Sequence, residues 1–469
     1  MALDPRRWVA LGVIVMVTLM VVLDASVINI ALPQAQRQLD IIDVDRHWVI
    51  TAYAVTFGGL LLLGGRIADY AGRKRTMIVS LLGFAIVSAI GGLATTQWML
   101  FAARALQGIF AAALAPAALA LVSVTFTEPR ERATAFGIYG AVSGAGGAIG
   151  LIVGGLLTEY GSWRWCMFVN VPIAMVTALA AVEFVRESRA AGPRRYDVVG
   201  ALLASTGAAA LVVTFTLAGM PGLGWTAPTT LLTFAAASIA LAAFVSVEIR
   251  GRHPLVPLRI VADRNRGGTF LTAALIGAGM FGALLMLTFY LQVRLRYTPV
   301  QTGVAFLPFS AAIIASSMLS SWLLPRIGPK PLMVTGTLTA AAGMLLLTTL
   351  HQASTLALLL SGEVLVAIGV GLVFVPINSA ALTGIDPDDA GIASALVNAA
   401  VQLGGALGVA LLNTLYAGTV SAQLTISGTG PTTAVFAGYR AAFRTGSVLF
   451  IAAVMIAGFM LTRRKEMPL

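Results

Sequence analysis

Two charged side chains stand out inside apolar runs. Asp24 lies in VVLDASVINIALPQ, residues 21–34, within an apolar run from Trp8 to Pro33. A carboxylate near the middle of a membrane helix costs about 2.5–3.5 kcal/mol on insertion scales, so it needs a partner or a task. Arg104 lies in another apolar run, near 98–122. Measured from the ends expected on one side of the bilayer, Asp24 is about nine residues deep and Arg104 about six. At about 1.5 Å per residue those depths agree within one helical turn. An unpaired charge is costly there, so the two are expected to face one another or share a cavity. Burial disfavours the carboxylate's charge, whereas the guanidinium favours it. A group held between these influences changes protonation when its partner moves or a substrate competes, which is what proton coupling requires. A static structural pair is the alternative.

Glu363 is the other acid well away from helix ends. It could bind a cationic substrate, join a proton path, or reach the interface. Asn29, Tyr53, Gln107, Phe289, Gln292 and Asn378 are candidate cavity-lining residues, with helix packing as the alternative for each. Catalytic chemistry finds no footing. His47, His253 and His351 are scattered across connections, and one cysteine, Cys166, excludes an intrachain disulfide and leaves no metal cluster. No GxxxxGK[ST] phosphate cradle occurs, and no ring of like charge or re-entrant filter suggests a channel.

The elements that must hold these residues are membrane helices. Of 469 residues, 58% are hydrophobic and 10% charged, against about 25% charged in soluble domains. Apolar runs long enough to span occur near 8–33, 48–66, 76–95, 98–122, 134–158, 164–185, 198–218 and 228–248. Six more lie near 269–292, 303–325, 331–350, 355–380, 391–416 and 440–462, giving fourteen. The net charge of +11 reflects loop placement, not nucleic-acid binding. One set of connections holds 22 Lys and Arg, including RKR at 73–75, Arg186 to Arg195, Arg250 to Arg266 and RRK at 463–465; the other holds 7. Both termini are therefore expected in the cytoplasm. The first span is too long for a signal-peptide core and is read as retained.

The chain also repeats. GGAIG at 146–150 matches GGALG at 404–408, an offset of 258, and Gly72 in ADYAGRKR pairs with Gly328 in LPRIGPKP at 256. Six spans fill only about 180 residues, so the offset leaves room for two inserted spans. The expected organisation is a six-helix bundle over 1–186, a linker with two extra spans over 187–268, and a second bundle over 269–469. Parallel halves of this kind place a substrate site near the midplane.

Four stretches make the chain similar to the major facilitator superfamily, and specifically to its fourteen-span drug:proton antiporter branch. They are LDASVINIALP (23–33), GRIADYAGRKRTM (65–77), RALQGIFAA (104–112) and WRWCMFVNVPI (163–173). The resemblance implies an all-α membrane protein with two six-helix bundles, two extra helices between them and both termini cytoplasmic. It associates the first-span acid and span-4 arginine, here Asp24 and Arg104, with proton coupling. It makes Gly65, Asp69, Gly72, Arg73 and Lys74 a cytoplasmic gate, with Asp69 meeting the start of the helix near Gly391. Glu128 is a candidate partner for Arg73. The span-5 signature is expected at Gly146, Gly150, Gly154 and Gly155, but Leu151 stands where the branch carries proline. Without that proline, any bend must come from the glycines, which also permit close helix approach.

The expected function is proton-coupled efflux of drugs or other small amphiphiles by alternating access, from the plasma (inner) membrane as a multi-pass protein. The coupling ion is the proton, with no other cofactor. The partners are a small-molecule substrate and the lipid bilayer, without nucleic acid, and a monomer is the default. A nutrient importer of the same superfamily is the nearest alternative; a channel or membrane-embedded enzyme fits less well.

Overall fold

The computed structural model describes residues 6–189, 197–220, 223–251, 256, 258–352, 355–385, 390–425 and 430–461. Arg194, Arg195, Arg252, His253 and the RRK run at 463–465 lie outside them. Fourteen long helices are present among the described residues. They are α1 (Arg7–Gln38), α2 (Trp48–Ala71), α3 (Arg73–Gly92), α4 (Gln97–Thr125), α5 (Pro129–Tyr160), α6 (Trp165–Phe184), α7 (Val198–Gly219), α8 (Pro228–Arg250). There follow α9 (Arg264–Arg294), α10 (Pro299–Ile327), α11 (Pro329–Leu347), α12 (Leu356–Leu382), α13 (Ala390–Leu424) and α14 (Pro431–Met460). Among the described residues, thirteen of these helices meet the length and hydropathy needed to cross a membrane; the remaining one, α5, has 32 residues with its apolar stretch over Gly146–Tyr160. Each of the fourteen expected spans corresponds to one helix.

The chain forms two compact units. The first holds 1–42, 48–205 and Thr288–Phe306; the second holds Asp43–His47, 206–287 and 307–469. In the first, α1 packs on α5, α2 on α4, and α3 on both α4 and α6. The second repeats this scheme eight helices later, with α10 on α12 and α11 on both α12 and α14. Lipid tails are as apolar as leucine, so helices associate here through close packing of small residues. A Cβ built on Gly154 would lie 2.9 Å from Val27 Cα, and one on Gly150 would lie 2.7 Å from Ser26 Cβ. In the second unit Gly404 and Gly408 of α13 press on the backbone of Ala274 and Ala278 of α9 in the same way. The two glycine repeats found in the sequence thus serve equivalent helix crossings. The second repeat pair is equally concrete: Gly72 (φ 114°) and Gly328 (φ 76°) each precede a helix, α3 and α11.

With Leu151 in place of proline, α5 runs without a break from Pro129 to Tyr160. Helix α6 is interrupted. It divides into Trp165–Phe168 and Asn170–Phe184, because Pro172 has no N–H for the carbonyl four residues earlier and its ring crowds that carbonyl.

Candidate functional site

Three local features bring polar groups to one point in the first unit. On α1, Leu23, Ser26 and Val27 meet the glycines of α5, and Asp24 faces elsewhere, against α4 and α6. On α4, Arg104 and Gln107 are three residues apart and share a face. Gly108, beside Gln107, leaves α4 without a side chain where the Tyr53 carbonyl and Thr56 of α2 come against it. Thr56 Oγ1 fastens that crossing by donating to the Ala105 carbonyl at 2.8 Å. On α6, the break before Asn170 sets that residue at the start of the longer segment.

The result is a closed network. Arg104 Nη1 donates to Asp24 Oδ2 at 2.6 Å, and both side chains are 1% exposed. Asp24 Oδ1 accepts from Asn170 Nδ2 at 2.7 Å and from Gln107 Nε2 at 3.1 Å. The guanidinium is fixed further by Nε to the Val49 carbonyl (2.9 Å) and Nη1 to Gln107 Oε1 (2.9 Å). The Tyr53 ring lies under it, 4.6 Å from Cζ to ring centre. Gln107 Nε2 also donates to Ser88 Oγ at 2.7 Å. Helices α1, α2, α3, α4 and α6 all contribute. A buried ion pair offsets its desolvation only when the remaining polar groups are also satisfied, and here they nearly are. The exceptions are Tyr53 Oη and Asn170 Oδ1, buried without a hydrogen-bond partner among the described residues.

Other candidate residues are placed differently. Gln292 Nε2 donates to the Ile30 carbonyl of α1 at 2.9 Å, and Phe289 is buried one turn before it. Asn29 and Asn378 donate to carbonyls four residues earlier on their own helices, Ala25 and Phe374. Glu363 is in the second unit and fully buried. Among the described residues neither of its carboxyl oxygens has a hydrogen bond of standard geometry, although the Phe309 backbone lies close.

The loop between α2 and α3 is tied down within the first unit. Arg73 binds Asp69 rather than Glu128, at 2.7 Å from Nη2 to Oδ1, because the Gly72 reversal brings residues four apart together. Glu128 instead occupies the N-cap position of α5, without a side-chain capping bond. Glu187, beyond α6, accepts from the backbone N–H of Lys74 (Oε1, 3.1 Å) and of Arg75 (Oε2, 3.1 Å). It therefore places a carboxylate at the positive N-terminus of α3. In return, Lys74 Nζ donates to the Val182 carbonyl near the end of α6 at 2.7 Å, and Arg73 N donates to the Ser188 carbonyl at 3.0 Å. Gly65 rests on Pro116 of α4, in ordinary contact.

Comparison with known proteins agrees with this architecture. The family model described as Major Facilitator Superfamily matches residues 14–409. The chain belongs to the major facilitator superfamily. Like other superfamily members it is a membrane transporter of small molecules, not an enzyme, and a multi-pass protein of the cytoplasmic membrane. Among its relatives, the Puromycin resistance protein pur8 of Streptomyces alboniger is 47% identical over 99% of this chain and 93% of that protein. The Cephamycin export protein CmcT of Amycolatopsis lactamdurans is 35% identical over 93% and 89%. Solved structures share the fold at low identity. A POT family peptide transporter superposes with a TM-score of 0.69 at 17% identity, covering 99% of each chain. A bacterial homologue of the lysosomal transporter Spinster gives 0.65 at 15%, covering 97% of each.

Two members of the network in this superfamily protein were not singled out from sequence, Asn170 and Ser88. Asn170 stands inside WRWCMFVNVPI, so an amide in an apolar run three residues from its end was a readable signal. Ser88 offered none, since serines are common in membrane helices and bond readily to their own backbone.

Proposed function

We propose that this transporter is a proton-coupled antiporter that exports drugs or similar small amphiphiles by alternating access. The observation that carries this reading is the fully buried Asp24–Arg104 pair at 2.6 Å, in the helix bundle and remote from either end of α1. A carboxylate held by an arginine and two amides is stable without a proton. If α4 or α6 moves, those donors withdraw, and a charge left in low dielectric is neutralised by taking up H⁺. Substrate binding and proton binding can then alternate, because each alters the surroundings of the same carboxyl group. The named roles of the relatives in puromycin resistance and cephamycin export support outward transport of antibiotic-like compounds. The excess of Lys and Arg in one set of connections supports a cytoplasmic position for both termini and for the 72–75 loop.

The test is efflux of ethidium, puromycin and a panel of lipophilic dyes from cells, with and without a protonophore. Export should stop with the protonophore and in Asp24→Asn, while that variant still inserts in the membrane. Proton-driven export by Asp24→Asn at the wild-type rate would overturn the reading.

A further inference from the structure

We propose that Asn170 exchanges hydrogen-bonding roles with the proton on Asp24. Its amide NH₂ donates to the ionised carboxylate, and its amide carbonyl accepts the carboxyl O–H once Asp24 is protonated. The inference rests on the reading of Asp24 as the coupling acid.

An ionised carboxylate only accepts hydrogen bonds, so the NH₂ end of Asn170 must face it, as the 2.7 Å contact to Oδ1 has it. A protonated carboxyl group is a donor, and a buried O–H left without an acceptor is costly. Two amides touch Asp24, and they differ in freedom. Gln107 is engaged at both ends: its Nε2 serves Asp24 and Ser88, and its Oε1 accepts from Arg104. Turning it over would break all three contacts. Among the described residues the Asn170 side chain makes one hydrogen bond, to Asp24, and its Oδ1 is buried without a partner. A half-turn about its Cβ–Cγ bond breaks no contact of the carbonyl, supplies the acceptor that the new O–H needs, and moves the NH₂ to where Oδ1 stood. The partnerless Oδ1, expensive in the ionised state, is thereby explained.

The step balances simply. H⁺ from water forms an O–H bond on Asp24 Oδ1, the Asn170 N–H contact is replaced by O–H to Asn170 Oδ1, and the Arg104 contact to the carboxyl group weakens. Release to the other side reverses each change. The other groups able to titrate near Asp24 are Arg104 on α4, Tyr53 on α2 and Cys166 on α6. Among the described side chains of α5, none with a charge meets it; Gly150 and Gly154 pack on Leu23 and Val27 to either side.

Infrared difference spectra of the purified protein on acidification test this without needing a substrate. The wild type should show a protonated-carboxyl band that Asp24→Asn removes. In Asn170→Leu that band should move to higher frequency and its midpoint pH should change by about one unit, tenfold in proton affinity. If Asn170→Leu fails to accumulate, Asn170→Ala should move the band likewise, and Asn170→Ser, which can both donate and accept, should leave it nearer the wild type. A band unchanged in both Leu and Ala variants overturns the role of Asn170 and leaves the coupling reading standing. A wild type with no band sensitive to Asp24→Asn overturns both.

Discussion

Arg104 lies against Asp24 with 2.6 Å between Nη1 and Oδ2, and neither side chain meets solvent. The pair is held from five helices, so each of its members also fixes how those helices meet. Removing one partner leaves the other as a buried, uncompensated charge, at a cost of about 3–5 kcal/mol. Arg104→Ala should therefore lower the apparent melting temperature markedly, and adding Asp24→Asn to it should restore part of the loss. Arg104→Lys should not substitute, because one ammonium cannot reach Asp24, Gln107 and the Val49 carbonyl while stacking on Tyr53. A double-mutant cycle on melting temperatures checks this; simple additivity would contradict it.

The α1–α5 crossing predicts a contrast between neighbouring glycines. A Cβ on Gly154 would lie 2.9 Å from the Val27 backbone, whereas one on Gly147 would lie 3.9 Å from Ser26 Oγ. Gly154→Ala should destabilise by about 1–3 kcal/mol, since backbone cannot yield as a side chain can. Gly147→Ala should be neutral or slightly stabilising through helix propensity. Equal melting temperatures for the two would rule out a close-packed crossing.

At the 72–75 loop, two separate costs meet in Gly72→Ala. The φ of 114° is strained for any residue with a Cβ, by about 1–2 kcal/mol, and the new methyl would stand 2.8 Å from Glu187 Oε2. Glu187→Ala should itself cost about 0.5–2 kcal/mol by uncapping α3. The double variant should then be less destabilised than the sum of the two singles, because the second change removes the clash that the first creates. A strictly additive loss would place Glu187 away from the loop.

His47, in the α1–α2 connection, predicts a dependence on pH. Burial, reinforced by the nearby Arg46 and opposed by the Val44 carbonyl, lowers its pKa from 6.5 to about 4. The neutral imidazole is the form the fold accepts. Its contribution is complete above the unfolded value near 6.5 and fades as pH falls towards 4. The wild type should lose more thermal stability between these values than His47→Gln. Parallel curves would show that His47 does not titrate with unfolding.

Glu363 offers a test of substrate charge. It is buried on α12 with no hydrogen bond of standard geometry at either oxygen among the described residues, so Glu363→Gln should keep the melting temperature. If the acid receives cations, that variant should lose several-fold in ethidium efflux while a neutral substrate from the same panel is retained. Unchanged ethidium efflux would leave Glu363 with no part in substrate charge recognition.

Much of this protein was legible before folding was considered. Helix number, the places of the spans and the two-fold repeat follow from hydropathy and recurring glycines, because a bilayer demands about 20 apolar residues per crossing and close crossings demand small ones. The depth of Asp24 and Arg104 was equally readable, since position along a helix is a linear measure. Direction and partnership were not. Whether Arg73 takes Asp69 or Glu128 depends on the turn at Gly72. That Gln107 is engaged at both ends depends on Ser88 and Asp24 arriving from other helices. That Glu187 caps α3 depends on where the chain leaves α6. Hydrogen bonds between distant residues are fixed by the rotation and break of each helix, which only the packed bundle decides.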